Sequence, residues 1–428
     1  MEQTKGFLLM NFSYFSSLKA GVLFSSIILT ACGGGGSSDS NSGNDNLNSL
    51  AGTEAQRATL RAIGENVVIP VYQSVQTEVN TLTTALDTYC SDLENNSANS
   101  TASRSIAQAS WQDSMSQWQR AEAFQFGPVA DGGVDSIRNH IYSWPAVSAC
   151  FIDGGVVSYE DDPDAFDIAE QSPRRLGLDG VEYLLFSDTL NHSCSTDSST
   201  DNADNISWNN RTDEERKLAR CKYASVLADD VNTQITTLLN AWLQEGDNYL
   251  TQLSTAGKGS SRYDSVKDAL KDISDSLFYL DTDVKDNKIA IPAGLSRECS
   301  KVSCPDSVES TVANYSIESV KSNLQGFLAI IEGGLDDLLA EVGQETITNT
   351  MVADLNAALT QIDLFPGTLQ SAVTGINESD CINTTSTNRI EPACALHADV
   401  KKVTDKLKAD FVLALSLSVP TEAEGDND

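Results

Sequence analysis

Residues 53–89 read TEAQRATLRAIGENVVIPVYQSVQTEVNTLTTALDTY, with apolar side chains at Leu60, Ile63, Val67, Val71, Val75, Val79, Leu82 and Leu86. Steps of three and four residues place these on one side of a 3.6-residue helix, whereas a half-buried strand would show every second residue. Pro70 has no N–H to give, so a kink is expected there. The same spacing predicts helices over 102–126, stopped by Gly127-Pro128, and over 175–186. Another is predicted over 212–245, opened by the capping sequence Thr212-Asp213-Glu214-Glu215. Residues 129–172 between them read as a long irregular stretch, a length that commonly carries function. After a polar, glycine-containing break at 246–259 the pattern restarts, predicting helices over 263–281, 315–332, 335–342, 351–363 and 395–417. Almost no segment alternates apolar and polar. The expected fold is all-α: two four-helix-bundle-like halves, 53–254 and 255–420, as an old duplication would leave. An acidic tail at 421–428 is expected to be disordered.

The chain has 428 residues, 28 Lys and Arg against 61 Asp and Glu, and a formal net charge of −33. Such an anionic surface speaks against nucleic acid and anionic headgroups, whose phosphates need clustered Lys and Arg. Ahead of the helices, Lys19 precedes an apolar run at 20–30 that ends in Leu29-Thr30-Ala31-Cys32. Eleven residues of helix span about 16 Å, half of a ~30 Å hydrocarbon core, so the run reads as a secretory leader and not as an anchor. Its ending resembles the lipobox of bacterial lipoproteins. That resemblance implies cleavage before Cys32, acylation of Cys32 and attachment to a membrane through the lipid. Gly33 in place of Asp implies the outer membrane, with the folded part in the periplasm. Residues 32–52, rich in Gly, Ser and Asn, read as a flexible tether behind a leader at 1–31.

Setting Cys32 aside leaves Cys90, Cys150, Cys194, Cys221, Cys299, Cys304, Cys381 and Cys394. An even count in an exported chain predicts four disulfides. Pairing of neighbours is expected: Cys90–Cys150, Cys194–Cys221, Cys299–Cys304 and Cys381–Cys394. Zinc is the rival reading, but no Cys-x-x-Cys occurs and the three histidines are scattered.

Several catalytic signatures are missing: no His-Glu-x-x-His, no Gly-x-Ser-x-Gly, no phosphate-binding Gly-x-x-x-x-Gly-Lys. Residues 281–286, DTDVKD, start like a calcium loop. Lys285 and Asp286 then fail at the ligand and glycine positions, so a solvated helix end is expected.

What remains is an ordered set of segments. Trp111, Trp118, Glu122 and Phe126-Gly127-Pro128 are followed by Ile141-Tyr142-Ser143-Trp144-Pro145. Then come Gly177-Leu178-Asp179-Gly180-Val181-Glu182, Glu309-Ser310, Tyr315-Ser316, and Asn323-Leu324-Gln325-Gly326. Together they resemble the imelysin family of exported bacterial proteins, over nearly all of 55–415. The resemblance implies a helical fold of two bundle-like halves and an association with iron uptake. It also implies a Gly-x-His-x-x-Glu motif proposed to bind metal, in a family whose founding member was described as a peptidase.

Here Asp179 stands where that histidine is expected. Aspartate suits a hard cation such as iron, while losing imidazole weakens a zinc-like site. Asp179 and Glu182, three apart, share a helix face, and Glu122 is the expected third oxygen ligand. His140 is the candidate imidazole from the irregular stretch. Trp118, Phe126, Trp144 and Tyr183 are expected to wall the pocket. The competing reading is structural, with the acids neutralised by Arg120, Arg174 or Arg175. Two functional classes follow. One is a lipoprotein binding a hard cation, an iron chelate or a partner of iron uptake. The other is a metal-dependent peptidase.

Overall fold

A computed structural model describes residues 53–133, 136–194, 208, 210–243 and 248–423. The expected leader at 1–31, Cys32, the tether to residue 52 and residues 424–428 of the tail lie outside these. Every long element among the described residues is helical. The opening segment forms α1 (Glu54–Ile63) and α2 (Ile69–Glu94), joined by a single π turn at Gly64–Val68. Pro70 thus sits in the first turn of α2, where its missing N–H costs nothing, and the extra residue of the π turn absorbs the bend. Val75, Val79, Leu82 and Leu86 of α2 are fully buried, each contributing ~1.5–3 kcal/mol of apolar burial.

α3 (Ser100–Ala121) runs back along α2. It ends at a 3-10 turn and the Gly127-Pro128 stop. The stretch expected to be irregular instead carries α4 (Ile137–Ile141) and α5 (Ala149–Asp161). The fifth helix was hidden because Gly154 and Gly155 interrupt its apolar pattern. α6 (Gly177–Phe186) and α7 (Asp213–Trp242) complete the first half, and α7 packs on both α2 and α6. The capping box at Thr212 and Glu215 forms as expected. Gly177 takes φ +76°, and a β-carbon there would stand 2.6 Å from the Ile141 carbonyl oxygen. Glycine therefore lets α6 start against the 141–145 loop.

α8 (Tyr249–Ser254) leads up to the boundary at residue 255, beyond which come α9 (Val266–Leu277), α10 (Ser316–Ile330), α11 (Asp336–Glu341), α12 (Glu345–Ile362) and α13 (Pro392–Lys406). Between α9 and α10 lies an eleven-residue π-helical segment, Leu280–Ala290. This segment contains the stretch expected to be a solvated helix end, and it is buried instead. Asp281 is paired with Lys285 (3.6 Å) and Lys408 (2.7 Å), and Lys285 with Asp286 (2.5 Å). Charge hid the burial, because Asp281 and Asp286 go inside together with Lys285 and Lys408.

α10 packs on α3, so helices from either side of residue 255 share a contact face. A β-carbon on Gly326 of α10 would lie 2.1 Å from the Arg120 carbonyl oxygen of α3, which makes glycine the condition for that approach. One continuous apolar cluster draws on both sides of residue 255, from Leu60 and Trp111 to Phe327 and Phe411. At the chain's end Thr421–Ala423, placed in the expected tail, form a 3-10 turn with Ala423 buried.

The eight cysteines among the described residues are all paired. Cys299–Cys304 and Cys381–Cys394 join neighbours as expected. The other two pairs do not: Cys90 joins Cys221 and Cys150 joins Cys194. The reason is packing, since α2 and α7 lie side by side and bring the Cα atoms of Cys90 and Cys221 to 5.6 Å. Across a separation of 131 residues, chain entropy assigns that bridge about 5 kcal/mol.

Candidate functional site

α6 enters the interior nearly all-apolar, yet carries two acids on one face. Asp179, in its first turn, is 5% exposed, and Glu182, one turn on, 6%. The Oδ2 of Asp179 accepts from the backbone N–H (2.9 Å) and hydroxyl (3.0 Å) of Ser143, and Oδ1 from the Gly180 N–H (3.0 Å). Asp179 thereby pins the 142–145 loop, whose Trp144–Pro145 bond is cis. The Oε1 of Glu182 accepts from the Ala313 N–H (3.0 Å), pinning a loop of the second half. Among the described residues, neither carboxylate has a Lys, Arg or His within ion-pair distance. Burial pushes each up to about 7, against the pull of these N–H donors.

The residues proposed to neutralise them are occupied elsewhere. Arg120 donates to Gln325 (3.0 and 2.8 Å), and the guanidinium groups of Arg174 and Arg175 lie over Phe151. Glu122, the expected third ligand, is buried but committed to Arg138 at 2.9 Å. His140, on α4, faces Asp230 of α7 at 3.9 Å and lines a different cavity. Trp118 and Phe126 lie in the core, whereas Trp144 and Tyr183 do line the cavity that holds Asp179 and Glu182.

That cavity measures about 260 Å³. Trp144, Val147 and Tyr183 wall it from the first half, Val308 and Thr311 from the second. Among the described residues no Lys, Arg or His lines it. Behind Tyr142, another of its lining residues, lies a polar knot that includes Glu309 and Asn323 of the ordered segments but no expected site residue. Glu309, wholly buried, accepts from the Tyr142 hydroxyl (2.5 Å), Lys288 Nζ (3.0 Å) and Gln119 Nε2 (3.3 Å). Lys288 Nζ also donates to Gln119 Oε1 (2.6 Å) and Asn323 Oδ1 (2.9 Å). Five segments, including α3, α10 and the π-helical stretch, are thus tied through the Lys288–Glu309 pair. The signal was available in Lys288-Ile289-Ala290-Ile291, a lysine at the edge of an apolar run with no acid beside it.

A resident hard cation would need several converging oxygens with free lone pairs. Among the described residues no three His, Cys, Asp or Glu side chains come together to hold a metal ion. Asp179 and Glu182 spend oxygens on N–H groups instead, so the donor set does not fit the three-acid site expected from Asp179, Glu182 and Glu122. The histidines do not converge on it either: His192 Nδ1 accepts from the Cys194 N–H, and His397 lies on α13.

The fold has solved relatives. An imelysin-like protein from Psychrobacter arcticum superposes with a TM-score of 0.61 at 17% identity, covering 86% of this chain and 97% of that one. A structure named for iron-regulated protein A, from Parabacteroides distasonis, gives 0.57 at 18% identity, with 83% and 96% covered. In sequence, the chain is 25% identical over 284 residues to iron-regulated protein A of Synechococcus elongatus, a match spanning 66% of each. The family model described as Imelysin matches residues 68–386, three quarters of the chain and the whole of the site, and the chain belongs to that family.

Proposed function

We propose that this protein is a lipid-anchored binding protein of bacterial iron uptake, and that its ligand is a neutral or cationic iron chelate seated in the Trp144–Asp179–Glu182 cavity. One observation carries the reading. Two buried acids without a cation sit in a cavity whose lining has no positive charge, between walls supplied by both halves. Such a site repels anions, and its aromatic wall favours an organic ligand shell over a bare ion. The carboxylates act as hydrogen-bond acceptors and hold the 142–145 and 308–313 loops in place. The iron-regulated names of the relatives support the iron connection. The ending Leu29-Thr30-Ala31-Cys32 supports cleavage before Cys32 and attachment to the outer membrane, with the folded part in the periplasm.

Calorimetric titration with ferric acetohydroxamate tests the binding. The wild type should bind saturably, and Trp144→Ala should weaken binding at least tenfold with the melting temperature kept. No heat from this chelate, with chelator-sensitive cleavage of peptides instead, would return the protein to the peptidase reading. Membrane fractionation of Cys32→Ser tests the anchor, since unchanged partitioning would remove the lipid from the account.

A further inference from the structure

A second cavity opens at the other side of α6 and has the opposite chemistry. It measures about 210 Å³, smaller than the acid-lined cavity. Arg104 of α3, Lys217 and Arg220 of α7 and Tyr89 of α2 line it, with Asp188 the one acid. Acids outnumber bases more than two to one along the chain, so three cations around one small cavity reverse the overall ratio.

The cations differ in how far they are committed. Arg220, 1% exposed, is already matched by Asp153 at 3.0 Å and donates to the Thr189 carbonyl (2.6 Å). Arg104 donates through Nε to the Leu185 carbonyl at 3.0 Å, which fixes its guanidinium plane. Its nearest acid is Asp188, 3.7 Å away on a side chain that is 97% exposed. A contact that open is worth little. Lys217 is exposed and has no ion-pair partner among the described residues. Two positive charges therefore face the cavity with little or nothing to balance them.

The frame around them is rigid before any ligand arrives. Tyr89 and Arg220 each stand next to a half of the Cys90–Cys221 disulfide, which locks α2 to α7. The 187–194 loop on the opposite rim is held by Cys150–Cys194 and by the Ser193 bonds to Asp153 (2.8 and 2.7 Å).

We propose that this cavity is a binding site for a small oxyanion, a phosphate or a carboxylate, held by Arg104 and Lys217 with the Tyr89 hydroxyl as a further donor. An oriented guanidinium suits the paired oxygens of either group, and an ammonium adds a point charge. The site is separate from the acid-lined cavity, which disfavours the same ligands.

Calorimetry at constant ionic strength in chloride, with inorganic phosphate in one arm and citrate in another, tests this on the full folded chain. At least one arm should show saturable 1:1 binding. Lys217→Gln should weaken it about tenfold, and Lys217→Gln/Arg104→Gln should remove it. Lys222→Gln, on the same helix but paired with Glu94 and outside the cavity, should bind as the wild type does. Ferric acetohydroxamate binding should be the same in Lys217→Gln and wild type, which separates this site from the proposed chelate cavity. Absence of saturable binding in both arms, full affinity in Lys217→Gln, or an equal loss in Lys222→Gln would each overturn the proposal.

Discussion

Buried acids in this molecule are handled in two ways. Asp153 and Glu309 each lie against a buried cation, Arg220 and Lys288, and each accepts further bonds from a tyrosine hydroxyl. Asp179 and Glu182 are buried to nearly the same degree and receive only N–H and O–H donors. Paired acids knot segments together and stay out of reach. Unpaired ones keep a raised proton affinity and look into a cavity. The difference separates acids matched by a cation in the core from acids that face a cavity without one, and a count of 61 acids does not tell the two sets apart.

Breaking a paired acid should have the largest effect. Lys288→Met leaves Glu309 charged and buried, which should cost about 3–5 kcal/mol in urea unfolding. Adding Glu309→Gln should recover a large part, since the stranded charge is then gone. A loss under 1 kcal/mol in Lys288→Met would erase the distinction between the two sets.

The unpaired acids should show themselves through pH. Their folded-state values of about 7 stand above the usual range near 4, so the folded protein holds protons that the unfolded chain releases. Their contribution to stability is full below about pH 4 and is lost as pH rises through 7. Each of the two acids should therefore lower the unfolding free energy by about 2–3 kcal/mol between pH 5 and pH 8, and Glu182→Gln should remove its share of that slope. A wild-type curve identical to that of Glu182→Gln would show that Glu182 has no raised affinity.

Glu122 sharpens the comparison from between. It is fully buried, but its partner Arg138 keeps 18% of its side chain exposed. Glu122→Gln should cost less than Lys288→Met, about 1–2 kcal/mol, because Arg138 reaches water. The smallest effect belongs to Lys217→Gln, whose apo stability should stay within about 0.5 kcal/mol of the wild type in the same urea assay.

Helices were legible in the sequence wherever apolar spacing ran unbroken, as in α2, α7 and α10. The caps and stops at Thr212 and Gly127-Pro128 were legible too, because they are local. α5 was not, since paired glycines break its pattern, and the π-helical segment was not, since Asp281 meets Lys408 and Lys288 meets Glu309 only in three dimensions. The site was half legible. Asp179 and Glu182 stand three apart in an apolar helix, a contrast visible in one dimension. That Glu122 would turn to Arg138, and that Glu309 would meet Lys288, depended on how α3, the 141–145 loop and the second half pack, which spacing along the chain does not encode.

The pairing of Cys90 with Cys221 also has a consequence for biogenesis. Cys150 and Cys194, already joined to each other, lie inside the loop that this bridge closes. A chain entering an oxidising compartment from its N-terminus presents Cys90 and Cys150 before Cys221 arrives. An oxidase joining thiols in order of appearance would make the wrong bond first, and thiol–disulfide exchange would have to undo it. Maturation by that route would need a disulfide isomerase, or Cys90 shielded until α7 emerges. The last two bridges, each between successive cysteines, need neither.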